Sequence, residues 1–232
     1  MNVAMVTSYI IAGMILISIL MMNLRMSTSG AELTLTQITR EYVRNVTDML
    51  NEDIPNIGYD IDKITRDPFY SDDEMDKKVI IEVDEHRFRF YRNLCGTRTQ
   101  NLVFEGYNVN CDRPEIITWE YLEEQPESSQ NPNHGTLVRT VEFLDGDGVV
   151  EDIRTNEIEL GVTKFNLSYN DTLGGSVNMT MPILGNALYD IKQIYVELEM
   201  QSNERISGAT SSEGRYIRSV WEKRFTPRNL EF

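Results

Sequence analysis

Histidine and cysteine are nearly absent from this chain, with two of each in 232 residues. His86 and His134 are too few for a His-rich metal site. No CxxC, HExxH, GxSxG, P-loop or dinucleotide fingerprint occurs either. The common metal, nucleophile and phosphate chemistries therefore have no motif to stand on, and the chain reads as non-enzymatic with no cofactor. Basic residues are also scarce: 22 Lys and Arg against 37 Asp and Glu leave a net charge of −15. So acidic a surface repels a phosphate backbone, which argues against nucleic acid as a partner. None of the 7 prolines precedes Pro55, so nothing upstream of it breaks a helix.

Charge is missing altogether from residues 1–24, MNVAMVTSYIIAGMILISILMMNL. A helix crosses a bilayer with about 20 apolar residues at about 1.5 Å each, so this stretch is long enough to do so. A secretory signal opens with basic residues and ends on small ones. Here nothing basic precedes the core, which ends in Met21, Met22, Asn23 and Leu24. The candidate helix-packing positions are Val3, Ile10, Ile11, Ile15, Leu16, Ile17 and Leu20. From Ala31 onward the pattern changes. Leu35, Ile38, Tyr42, Val46 and Met49 recur at helical spacing and form one apolar stripe, the candidate surface for docking a domain. Gly30, between the two halves, costs about 1 kcal/mol against Ala. The pattern predicts one helix of roughly 50 residues, on the order of 75 Å long, stopping near Asn51 to Pro55.

Three segments follow: 1–24, a transmembrane or filament-core helix; 25–54, its amphipathic continuation; and 55–232, a β-rich globular domain. Residues 53–73 read as an irregular excursion. Strands are expected at 78–83, 86–94 (with Phe88, Phe90 and Arg92 on one face), 101–107, 116–122, 136–143, 158–160 with 162–169, 176–181, 191–200 and 216–225. The polar runs 126–135 and 202–214 read as loops. Strands that do not alternate with amphipathic helices predict an α+β fold, the long helix packed on an antiparallel sheet.

Two local features carry chemistry. Cys95 and Cys111 can close a short loop, and in an oxidising compartment such a bridge contributes about 3 kcal/mol; two reduced thiols are the alternative. DGDGVVED offers Asp145, Asp147, Glu151 and Asp152 as hard oxygen ligands for calcium, the one cofactor with any local support. An EF-hand fails, because position twelve is Asn156. An ordinary Asp-Gly turn accounts for the same residues. Topology signals conflict: Arg25 and Arg40 just beyond the apolar stretch favour a cytoplasmic domain, whereas a disulfide favours the opposite side.

In its order of motifs the chain resembles the minor pilins and minor pseudopilins of type IV pilus and type II secretion systems, of the PulJ or PilW-like kind. The residues that carry this are the helix with apolar and amphipathic halves, then DIPNIGYD from Asp53, RFRFYRNL from Arg87 and EIITWEYL from Glu115. GTLVRTVE from Gly135, VTKFNLSYND from Val162, IKQIYVELEM from Ile191 and RFTPRNLEF from Arg224 complete the series. The resemblance implies a pilin-like fold and a single-pass helix held in the inner membrane before assembly. It also implies packing of that helix against other pilin or pseudopilin subunits, with the domain in the periplasm or in an extracellular filament. The family usually has Glu at the fifth residue of the mature helix, where this chain has Met5, a departure tolerated in some tip subunits. The alternative function is a permanently membrane-anchored extracytoplasmic binding module using Trp119, Tyr121 and Trp221.

Overall fold

A computed structural model of the chain describes residues 3–58, 79–92, 102–104, 107–109, 115–144, 149–159, 161–171, 173–176, 181–183, 185–208, 211–227 and 230. The fold is α+β, a long helix packed on antiparallel β-sheet. Helix α1 (Val3–Asp53) runs through Gly30 without interruption and passes into a 3-10 turn, Ile54–Asn56. Pro55 lacks the N–H that a further helical turn needs. Gly58 then redirects the chain with φ +62°, and its N–H donates to the Tyr91 carbonyl at 2.9 Å. A β-carbon there would lie 2.4 Å from Val79 Cγ1, so both conformation and space demand glycine.

The larger sheet joins β1 (Ile80–Val83), β2 (Arg87–Arg92), β5 (Glu115–Leu122), β6 (Thr136–Leu144) and β7 (Val150–Ile158), neighbours in that order. A second sheet has β9 (Gln193–Gln201) between β8 (Val162–Asn170) and β12 (Arg218–Phe225). Two small hairpins complete the strands, β3 (Leu102–Phe104) with β4 (Tyr107–Val109) and β10 (Ile206–Gly208) with β11 (Ser211–Arg215). All strand pairs are antiparallel.

Period-two alternation puts Phe88 and Phe90 of β2, Ile117 and Trp119 of β5, and Leu137 and Val141 of β6 on one inner face. Phe165 and Tyr169 of β8 and Ile194, Val196 and Leu198 of β9 meet them. Trp119 and Phe165 stack at 6.3 Å between ring centres. Val46, Leu50, Ile54 and Ile57 at the end of α1 close the same core.

Strand positions differ from expectation in two polar regions. The run 202–214, expected as a loop, contains the β10–β11 hairpin. β7 starts at Val150, eight residues before any strand was expected; it is solvated on both faces, so it shows no alternation to read. The expected strand at 176–181 is only an isolated bridge from Ser176 to Asn170, with 177–180 outside the described residues. The strand expected at 191–200 is β9, which starts at Gln193, with a 3-10 helix, Gly185–Asp190, ahead of it.

Candidate functional site

The two halves of α1 sit in opposite environments. Every described side chain from Val6 to Ala31 is exposed, and most are large and apolar. Ile10, Ile11, Ile15, Leu16, Ile17 and Leu20 are all more than half exposed, and Val3 belongs to the same helical stretch. The helix is long and apolar enough to cross a membrane. Water does not tolerate so wide an apolar surface on a free monomer, so it needs lipid or other protein around it. Thr28 and Ser18 turn their hydroxyls back onto helix carbonyls, which removes their demand for outside partners.

Docking begins at Thr39 and is completed by Val46, Thr47, Leu50, Asp53 and Ile54, all buried, with Val43 and Met49 packed against the core. The expected stripe is therefore displaced around the helix. Val46 is buried and Leu35 and Met49 are half-buried, but Ile38 and Tyr42 remain 39% and 38% exposed. The domain covers the Thr39–Val43–Val46–Leu50 side and reaches as far up as Glu32, which pairs with Arg215, so Ile38 and Tyr42 stand on the flank of the docked face.

What aims the helix is a buried ionic cluster. Asp53 is the last residue of α1, and its carboxylate is fully enclosed. Arg139 of β6 donates to it from Nε at 2.7 Å and from Nη2 at 2.9 Å, a two-point grip. Trp119 Nε1 donates at 2.9 Å, and Arg92 Nη1 of β2 donates as well. Arg92 also donates to Glu115 Oε2 from Nε at 3.2 Å and Nη2 at 2.8 Å. The sheet builds this cluster by register alone: Arg92 lies directly across from Glu115, and Trp119 across from Arg139. Two arginines facing two carboxylates are neutral overall when all are ionised. The two arginines also suit a helix C-terminus, whose carbonyl end attracts cations, and they offset the Asp53 carboxylate placed there. Burial pushes the Glu115 carboxyl above the usual range, against the pull of Arg92. A cluster of this kind adds little net stability over a well-packed apolar one, yet loses about 3–5 kcal/mol if one partner is removed. Its contribution is orientation: three side chains from three strands converge on one carboxylate at the helix end.

Sequence reasoning singled out Asp53 only as part of DIPNIGYD, and Arg92 only as the third residue of a Phe88–Phe90 face. Arg139 and Glu115 were missed as members of a cluster. The available signal was position: each falls in phase with buried apolar neighbours on its strand.

The polar loop 126–135 is tied down from within. His134 Nδ1 accepts the Ser129 hydroxyl at 2.6 Å and the Gly161 N–H at 3.3 Å, so its proton sits on Nε2 and points to the Gln201 carbonyl at 3.2 Å. Burial lowers the His134 pKa. Although Ser129 and His134 form a serine–histidine pair, both are buried and both ring nitrogens are committed to holding the loop against β9. His86 sits at the turn between β1 and β2, with Nδ1 on the Phe165 carbonyl at 3.1 Å.

Trp119 is fully buried and Tyr121 nearly so, so neither forms part of a surface platform; Trp221 is half-buried beside Phe225. Glu151 and Asp152 are adjacent on β7 and point to opposite faces, with Asp152 in reach of Arg154 at 3.3 Å. Asp145 and Asp147 lie outside the described residues, as do Cys95 and Cys111. Among the described residues no group of three His, Cys, Asp or Glu is placed to hold a metal ion. Compared with known proteins, the chain matches no family model and no curated protein sequence.

Proposed function

We propose that the chain is a non-enzymatic structural subunit, anchored by the first half of α1 and assembled through it into a pilus-like or secretion-like filament or its tip complex. The observation that carries this reading is the continuous exposed apolar surface from Val6 to Met26 on a helix whose other end is locked into a folded domain. A helix apolar all round is solvated by lipid before assembly and by other such helices afterwards. Its continuity through Gly30 makes it a single lever, so packing of the apolar half sets the position of the domain. The resemblance to minor pilins and pseudopilins supports an inner-membrane anchor with the domain in the periplasm or on an extracellular filament.

The test is extraction of the full chain from membranes with a mild detergent, followed by electron microscopy and identification of co-purifying chains. Fibres or a defined hetero-complex that are lost in the Ile10→Arg/Ile17→Arg variant are the expected result. A lone detergent-bound monomer without companions would refute assembly and leave a permanently anchored module.

A further inference from the structure

A groove opens between α1 and the end of β7. One part, of about 380 Å³, has an apolar floor of Tyr42, Val46 and Met49 from α1 and Ile158 from β7. Ser128, Glu157 and Glu159 form a rim that it shares with a second, larger cleft of about 740 Å³. That cleft lies on the outer face of the five-stranded sheet, over Leu122 and Val138, and adds Glu124 and Glu127. The two parts therefore make one surface, with an apolar floor at the α1 end, Glu157 and Glu159 where the parts meet, and Glu124 and Glu127 in the outer part.

Its charge is one-sided, because no Lys, Arg or His lines either part. Among the described residues Glu124, Glu127 and Glu157 take part in no ion pair, and Glu159 accepts only the Ser128 hydroxyl, at 2.7 Å. β7 is also the outer strand of its sheet, with no strand beyond it among the described residues. Long exposed edge strands accept a further extended segment unless something blunts them. Here Val150 and Ile153 are exposed and no proline interrupts the strand, while Glu151, Asp152, Arg154 and Glu157 charge it, so that an uncharged strand is disfavoured at this edge.

We infer that this groove docks a basic segment of a different protein, with Lys or Arg meeting the glutamates and an aliphatic or aromatic side chain on the Tyr42–Val46–Met49–Ile158 floor. Charge selects the occupant. A second copy of this chain brings another −15 and repels the wall, whereas a basic segment is steered toward it. The apolar floor explains why salt-like attraction alone does not complete the site: Tyr42 and Met49 are left part-exposed for want of a covering side chain. The inference uses the docked half of α1, so it stands apart from assembly through the apolar half.

The test uses the full-length chain in nanodiscs of zwitterionic lipid and two labelled peptides, one alternating Leu with Lys and one alternating Leu with Glu. Fluorescence anisotropy at near-physiological salt should show saturable binding of the first peptide only. Glu157→Lys/Glu159→Lys should weaken it about tenfold or more, as opposed charges become like charges. Tyr42→Ser should weaken it by several-fold with the circular dichroism unchanged. Asp190→Lys/Glu204→Lys makes the same change of net charge at exposed positions elsewhere and should shift affinity by less than about twofold. Equal weakening by the two double variants would reduce the binding to diffuse charge and overturn the site. So would absence of binding. Concentration-dependent self-association of the chain, abolished by Glu157→Lys/Glu159→Lys, would assign the groove to a second copy instead.

Discussion

The two ends of α1 share one backbone and one hydrogen-bonding pattern, and they differ in what surrounds their side chains. Leu16 is 61% exposed and Leu50 is 0% exposed, though each is a leucine of the same helix. Around Leu50 the protein supplies its own apolar contacts, and at the last turn it supplies ionic partners for Asp53. Around Leu16 it supplies nothing. The lesson is that helix continuity and helix burial are separate decisions. The first is local and the second belongs to whatever meets the helix. The exposed half stays helical by propensity and by a lack of breakers, and it waits for an environment.

Removing the anchor of the buried end should have the largest effect. Asp53→Ala leaves Arg92 and Arg139 buried without their shared carboxylate, and chemical denaturation of the full chain in detergent should show a loss of about 3–5 kcal/mol. A loss below about 1 kcal/mol would mean that the cluster does not hold the helix end. In a Trp221→Phe background Trp119 fluorescence reports the change, because its indole loses a hydrogen bond to the same carboxylate.

A matched pair of truncations sharpens the comparison further. Leu50→Ala should destabilise the domain by about 2–5 kcal/mol through lost packing and a cavity. Leu16→Ala should leave domain stability within about 0.5 kcal/mol and instead reduce retention of the chain in membranes or complexes. Equal effects of the two on domain unfolding would erase the distinction between the halves.

The smallest effect is confined to the folded end and is read by pH. His134 is held neutral, with its folded pKa below the ordinary 6.5 because of burial. As pH falls through about 6.5 the unfolded chain takes up a proton that the folded chain refuses, so stability declines until the folded pKa is reached. Glu115 works with the opposite sign, since burial makes its carboxyl take up a proton at higher pH in the folded state. Comparing wild type with His134→Gln isolates the histidine: the decline below about pH 6.5 should flatten in the variant. The helical signal of the apolar half should stay constant across the same range. A pH slope identical in both proteins would remove His134 as its source.

Much of this architecture was legible. The uncharged run and the absence of proline before Pro55 specify the helix, and Pro55 with Gly58 specify its end. Strands β6 and β8 stand close to where they were expected, because each alternates buried residues with more exposed ones, and β5 does so as an apolar run buried on both faces. Legibility failed where neither pattern is present. β7 is wet on both faces, and the β10–β11 hairpin pairs through backbone with Ile206 as its single buried apolar residue. In both cases hydrogen bonding decides and leaves no alternating hydrophobic pattern to read. The docked face lies about one residue around the helix from the apolar stripe, since it also buries Thr39 and Thr47, which hydrophobic periodicity does not count.

The ionic cluster shows the same limit from the other direction. Arg92, Glu115 and Arg139 look like outward residues by type and inward residues by phase, and only the register of β2, β5 and β6 brings them onto Asp53. A long helix with an uncovered apolar half, an acidic domain and an antiparallel sheet follow from local composition and period alone. Tertiary structure decided which turn of α1 docks, which charges are buried together and which groove is left open beside β7. Those depend on residues far apart in the chain meeting at distances of a few ångströms, where desolvation makes a charge either paired or untenable.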